Sequence, residues 1–307
     1  SGTDTNKGGD GPRSTPTVDG APVYVLDGRL NLVCYEAATG KQVWKRDILG
    51  EHAGRNITWQ NAASPVVDGN RIFVAGGGEG QALLAFDKAS GKVLWKGQND
   101  RMTHATPVVA DLLGTRQVIF FTQSGLVAVA PADGRVLWRQ EFPFKTSTAA
   151  SPIVAGDIVY CSAGYGVGAG AYRISKNGAE FRSTELWRKP GKLQNHWSTP
   201  VYRDGHLYGI FGFKEYGNAP LQCIELATGA EKWSKPGFGP GNVTLVDGHL
   251  LVLGDAGQLA IVEATPTAYK ETARATVLKG KCWTTPSYTD GRVYARSTVE
   301  AVCLELK

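Results

Sequence analysis

The stretch that decides the fold is Cys34-Tyr35-Glu36-Ala37-Ala38-Thr39-Gly40-Lys41-Gln42-Val43-Trp44, because the chain repeats its pattern. It returns as Ala85-Phe86-Asp87-Lys88-Ala89-Ser90-Gly91-Lys92-Val93-Leu94-Trp95, again from Ala128 to Asp133-Gly134 and Trp138, and again from Cys223 to Thr228-Gly229 and Trp233. In all four copies the tryptophan stands four residues after the glycine. Trp187 closes a further unit after a longer hairpin through Asn177-Gly178. Working outward, a second phrase opens each unit: a Ser/Thr-Pro pair, two or three apolar residues, then Asp-Gly or a variant. Its prolines, at 16, 65, 107, 152, 200 and 286, step by 49, 42, 45, 48 and 86, the last being twice 43. A copy without proline, Val243-Thr244-Leu245-Val246-Asp247-Gly248, fills that double step. Two phrases recurring in fixed order at this spacing mark a repeat architecture.

Between the marks lie short runs rich in β-branched and aromatic residues, such as 22–26, 71–75, 117–122, 158–161 and 206–211. Each is bounded by an Asp-Gly, Asn-Gly or glycine-rich turn, the signature of β-hairpins. No stretch sustains helical periodicity. Each unit therefore reads as four antiparallel strands, a to d, and a 40–50-residue period with four strands is a propeller blade. The expected fold is an all-β propeller in a single domain spanning 1–307. Its blades start near 15, 64, 106, 151, 199, 242 and 285, and 1–12 form a flexible lead-in. The seventh unit stops after three strands, and residues 1–12 are too polar and glycine-rich to supply the fourth. Two readings stay open: an eight-bladed ring whose N-terminal blade lies upstream, or a seven-bladed ring with a three-stranded last blade.

The Ala/Cys-x-Asp/Glu-x-x-Thr-Gly-Lys-x-x-Trp phrase resembles the repeat of the PQQ-like (quinoprotein alcohol dehydrogenase-like) β-propeller superfamily, over nearly the whole chain from Thr15. It is most similar to the bacterial PQQ-binding-like β-propeller repeat proteins. The resemblance implies a periodic tryptophan-docking motif for Trp44, Trp95, Trp138, Trp187 and Trp233, which would pack blade on blade. It also implies a periplasmic or secreted location. The superfamily holds both eight-bladed quinoprotein dehydrogenases and non-enzymatic envelope scaffolds, so it implies a fold and leaves the activity open.

Composition narrows the classes. The chain has 307 residues, 42% hydrophobic and 20% charged, too apolar for disorder. No run approaches the roughly 18 apolar residues of a membrane helix. The net charge of +5 is spread without a basic stripe, which argues against nucleic acid. The five cysteines include no CxxC, so metal and thioredoxin motifs are absent. Cys34, Cys223 and Cys303 share one strand-c position with Ala85, Ala128 and Ala260, and read as small buried free thiols. Cys282 is the one cysteine placed just before a strand a.

Propeller connectivity sorts the loops. The a–b and c–d turns are all tight, whereas the d–a connections (48–62, 141–150, 189–198) and b–c loops (76–80, 164–170, 212–220) are long. Long loops on a rigid scaffold are where binding sits. The residues just before each strand a would ring a channel mouth there. The candidate ligand-binding set is Arg13, Trp59, Asn61, His104, Thr148, His196, Trp197, Asn242 and Trp283, with Arg55, Arg101, Lys145, Lys192 and Lys281 slightly further back. Indoles, imidazoles and cations together can stack a planar group and hold an anionic one. The same polar positions can equally satisfy backbone and bind water.

No catalytic residue is assigned: GxSxG, HExxH and P-loop patterns are absent, and Gly164–Gly170 alternates glycine without a following helix. The expected function is a non-enzymatic binding scaffold of the bacterial cell envelope, taking a protein, peptide or glycan on the long-loop face, with no cofactor and no metal. The alternative is a quinoprotein dehydrogenase acting on alcohols or sugars with PQQ and Ca2+ at the mouth. What the resemblance implies for that chemistry is a catalytic aspartate, Glu and Asn calcium ligands and adjacent cysteines. None of these can be laid on this chain residue by residue.

Overall fold

The computed structural model describes residues 13–306 except 213 and 216, and the lead-in assigned to 1–12 lies outside the described residues. Among the described residues there are seven sheets, six of four strands and one of three, each an antiparallel meander of sequence neighbours. They are the blades of an all-β propeller and follow the repeats in order. The first blade pairs Thr17–Val18, Pro22–Leu26, Asn31–Glu36 and Gln42–Asp47. The seventh consists of Ser287–Thr289, Arg292–Arg296 and Ala301–Glu305. A single helical turn, Ile48–Glu51, stands in the first long d–a connection, capped by the Asp47 carboxylate.

By contact density the chain divides into two compact units. The first holds the chain up to Asp157 together with Ile174–Thr184; the second holds Ile158–Arg173 and everything from Glu185. In each unit the core lies in slabs between successive sheets. In the first unit Tyr24, Leu26, Cys34 and Trp44 pack against Ile72, Val74, Leu84 and Phe86 of the next blade. In the second, Tyr208, Cys223 and Trp233 pack against Val252, Ala260 and Val262.

The repeated phrase has a packing reason. Strand register places each closing tryptophan opposite the small strand-c residue: Trp44 opposite Cys34, Trp95 opposite Ala85, Trp138 opposite Ala128 and Trp233 opposite Cys223. A bulge follows at once in strand c in each of these sheets. The indole then reaches one repeat ahead. Trp44 Nε1 donates to Lys88 O (3.1 Å), Trp95 to Pro131 O (2.9 Å), Trp187 to Leu226 O (2.8 Å) and Trp233 to Thr265 O (2.8 Å). For Trp44, Trp95 and Trp187 the ring lies on the c–d turn glycine of that next blade. A Cβ on Gly91 would come within 2.7 Å of Trp44, one on Gly134 within 2.6 Å of Trp95, and one on Gly229 within 2.9 Å of Trp187. Trp138 departs from the pattern and donates within its own sheet to Gln117 Oε1 (2.7 Å). The fourth blade's c–d hairpin runs through two ten-residue strands, Gly168–Asn177 and Glu180–Lys189, so its turn glycine, Gly178, meets no indole.

All five cysteines are free. Cys34 and Cys223 are buried as expected, but Cys303 is exposed, which corrects its assignment as a buried residue. It pairs with Tyr294, and both project from a sheet face open to solvent. Tyr294 is 42% exposed, whereas its counterparts Tyr24, Phe73, Tyr160 and Tyr208 are at most 1% exposed beneath the tryptophan slabs.

Candidate functional site

The strand-a entries are stitched by hydrogen bonds spanning one repeat. In the first unit Thr15 N–H donates to Ser64 Oγ (2.8 Å), Ser64 N–H to Thr106 Oγ1 (3.0 Å) and His104 N–H to Ser147 Oγ (3.2 Å). In the second, Asn242 Nδ2 donates to Trp283 O (2.9 Å) and Thr244 Oγ1 to Pro286 O (2.8 Å). Two registers separate here. Four residues before the repeat proline stand Asn61, Thr103 and Thr148, whose side-chain oxygens accept from the N–H of Ala63 (3.0 Å), Ala105 (3.1 Å) and Ala150 (3.3 Å). They are buried turn locks. Three residues before the proline stand Arg13, His104, Trp197 and Trp283, four of the larger groups of the predicted set, while Trp59 and His196 fall outside this register.

In the first unit Arg13, Trp59 and His104 come together. Arg13 Nη1 donates to Trp59 O, and the Trp59 ring is 6.4 Å from that of His104. His104 Nε2 donates to Gln60 O (2.8 Å), which leaves Nδ1 to accept from the Ser147 hydroxyl at 3.0 Å. Burial, with a smaller push from the Arg13 charge, lowers the His104 pKa to about 4, against the carbonyl of Gln60. A neutral histidine beside a serine has the geometry of a base and its nucleophile. Ser147 is only 1% exposed, however, so the pair can meet no substrate and serves to lock neighbouring blades.

In the second unit the structure assembles a row of rings. Tyr165 meets His196 edge-on at 5.0 Å, His196 meets Trp197 at 5.2 Å, and Trp197 meets Trp283 at 5.7 Å. A cation caps each end, Lys214 Nζ 5.1 Å over Tyr165 and Lys281 Nζ 5.2 Å over Trp283. The predicted His196, Trp197 and Trp283 are thus brought together, while Tyr165 and Lys214 were missed by sequence reasoning. Their signal was their place in the two long b–c loops. Trp197 Nε1 donates to Pro240 O (3.2 Å); Trp283 Nε1 is buried without a partner. Asn242 is tied to the row through Trp283 O, and its Oδ1 accepts from Thr285 Oγ1 at 3.3 Å. Cys282, beside Trp283, is buried, and burial raises its thiol pKa, so it is no activated nucleophile.

These donors do not fit a quinone with calcium. Calcium takes six to eight oxygens, with carboxylates among them. The carboxamide oxygens of Asn61, Asn195 and Asn242 already accept from Ala63 N–H, Tyr160 OH and Thr285 OH. Among the described residues no three His, Cys, Asp or Glu side chains group as metal ligands.

Four-stranded blades closed by tryptophans that dock one repeat ahead define a PQQ-like β-propeller. The chain belongs to the family described as outer membrane protein assembly factor BamB, whose model matches residues 3–235. It is similar to the outer membrane protein assembly factor BamB of Shewanella oneidensis, 24% identical over 265 residues, which cover 82% of this chain and 64% of that protein. It therefore spans just under two thirds of that relative's length. Among solved structures, the fold matches BamB from Moraxella catarrhalis with a TM-score of 0.69 at 14% identity, over 95% of this chain and 84% of that one. It also matches the quinohemoprotein alcohol dehydrogenase of Comamonas testosteroni with a TM-score of 0.65 at 13% identity, over 93% of this chain and 62% of that one.

Proposed function

We propose that this chain is a non-enzymatic docking propeller of the bacterial cell envelope, on the periplasmic side of the outer membrane, that takes a protein or peptide on its b–c and d–a loops. The observation that carries this reading is the row Tyr165, His196, Trp197 and Trp283 with Lys214 and Lys281 at its ends. Aromatic rings held by neighbouring loops offer contact area at low entropic cost, the usual makeup of an interface anchor. Family membership supports the compartment, since its description names outer membrane protein assembly. A glycan is disfavoured, because sugar hydroxyls call for free carboxylates and carboxamides and Asn195 and Asn242 have theirs engaged. Neither catalysis nor a cofactor is part of this reading.

The test is affinity recovery from native envelopes with the wild-type chain, Trp197→Ala and Lys214→Glu, after circular dichroism has shown all three folded. A partner held by the wild type and lost from both variants supports the docking row. Identical recoveries from all three would sink it.

A further inference from the structure

We propose that a cleft in the first unit is a carboxylate-binding subsite that receives an acidic side chain of a docked peptide. This deepens the docking reading above and rests on it, naming the chemistry of one contact. The cleft has a volume of about 90 Å³, enough for one small side chain. It is built by three connections on the long-loop side: the d–a loop after the first blade, the b–c loop of the second and the d–a loop that follows it. Arg55 and Arg101 line it, with Glu79, Asn99, Asp100 and Met102.

The charges do not close. Among the described residues neither Arg55 nor Arg101 has a side-chain hydrogen bond or ion pair, and Glu79 has none either. Asp100 is already spent, since both its oxygens accept from Arg139 at 3.0 Å. Two uncommitted guanidinium groups therefore face one uncommitted carboxylate, and a single monoanion completes the balance. Guanidinium forks match the planar geometry of a carboxylate. A phosphate dianion would overshoot the charge and face Glu79.

The cleft is also pre-organised. Arg55 N–H donates to Gly76 O (3.0 Å), Gly78 N–H to His52 O (2.9 Å), Gly80 N–H to Asn99 Oδ1 (2.6 Å) and Gln123 N–H to Arg101 O (3.0 Å). The loops approach so closely that a Cβ on Gly77 would fall 1.8 Å from Gln81 O, and one on Gly78 2.3 Å from Ala53 O. Ala53 and Gln98, which flank the cleft, sit at φ +46° and +67°, a conformation most side chains avoid. Met102 is buried into the core slab of the first two blades, which anchors the third connection from below.

The probe is the capped peptide acetyl-Gly-Glu-Gly-Asp-Gly-amide, titrated calorimetrically into the full chain in low salt. Its Gln/Asn counterpart and inorganic phosphate are run in parallel. The expected result is saturable binding of the acidic peptide alone, weakened about tenfold or more by Arg55→Gln or Arg101→Gln and by high salt, and strengthened by Glu79→Gln. Lys41→Gln, on an exposed c–d turn away from the long loops, leaves it unchanged. Equal binding of the amide peptide, tighter binding of phosphate, or indifference to both arginine variants overturns the proposal. The docking reading is judged separately: if the arginine variants still recover the wild-type partner while Trp197→Ala loses it, the reading stands and this subsite falls.

Discussion

The ring of Trp44 lies on the α-carbon of Gly91, 47 residues further along, so closely that a Cβ there would stand 2.7 Å from the indole. The two most regular residues of the repeat are therefore one contact seen from two blades. Gly91 also sits at φ +66°, so substitution meets both a backbone and a steric penalty. Gly91→Ala is expected to destabilise by roughly 2–4 kcal/mol in denaturant unfolding. Gly69→Ala, at φ +59° with open space around it, serves as the control and should cost only about 1 kcal/mol. Equal losses at the two sites would show that the indole contact contributes nothing.

His104 predicts an acid-sensitive fold. Its pKa falls to about 4 in the folded chain, chiefly through burial, against an ordinary 6.5. The unfolded chain therefore binds the proton more readily, and stability must drop as pH falls. The contribution is complete above pH 6.5 and is lost progressively down to about 4, amounting to roughly 3 kcal/mol. Unfolding free energies of the wild type and His104→Gln, measured between pH 7 and 4.5, should converge as the pH falls. Parallel curves would remove His104 as the cause.

The thiols divide four to one. Cys34, Cys161, Cys223 and Cys282 are buried, and burial raises each pKa, that of Cys223 to about 11. Cys303 alone is exposed. A chromogenic disulfide reagent should therefore titrate one thiol in the native chain and five after denaturation, and Cys303→Ser should abolish the fast one. Two or more fast thiols in the native wild type would contradict the packing of the strand-c slabs.

The aromatic row carries its own spectroscopic signature. Trp197 and Trp283 lie 5.7 Å apart, close enough for exciton coupling in the near-ultraviolet circular dichroism. Trp283→Phe should remove that coupled signal while shifting stability by less than about 2 kcal/mol, because its indole N–H has no partner to lose. A large stability loss would recast Trp283 as a core residue.

Much of this was legible in the chain because a propeller repeats its physics. The spacing of Gly40, Gly91, Gly134 and Gly229 ahead of their tryptophans records a turn that recurs in four blades and, for Trp44, Trp95 and Trp233, a reach into the next blade, so sequence alone determined the four-stranded blade and the order of its strands. The same periodicity marked Cys34 and Cys223 as small buried residues, and the strand register then sets each opposite an indole. It misled at Cys303, since a repeat position carries its burial only when a neighbouring sheet covers it. Sequence also placed Asn61 and His104 together as one ring of candidates. Only the tertiary structure parted them, turning the Asn61 side chain back onto its own backbone and pressing His104 between blades in its neutral form. The contacts between Tyr165 and His196, and between Arg55 and the glycines of the next blade, join loops without any shared repeat register. Their geometry depends on how irregular connections pack across blades, and that is a property of the folded chain rather than of any segment in it.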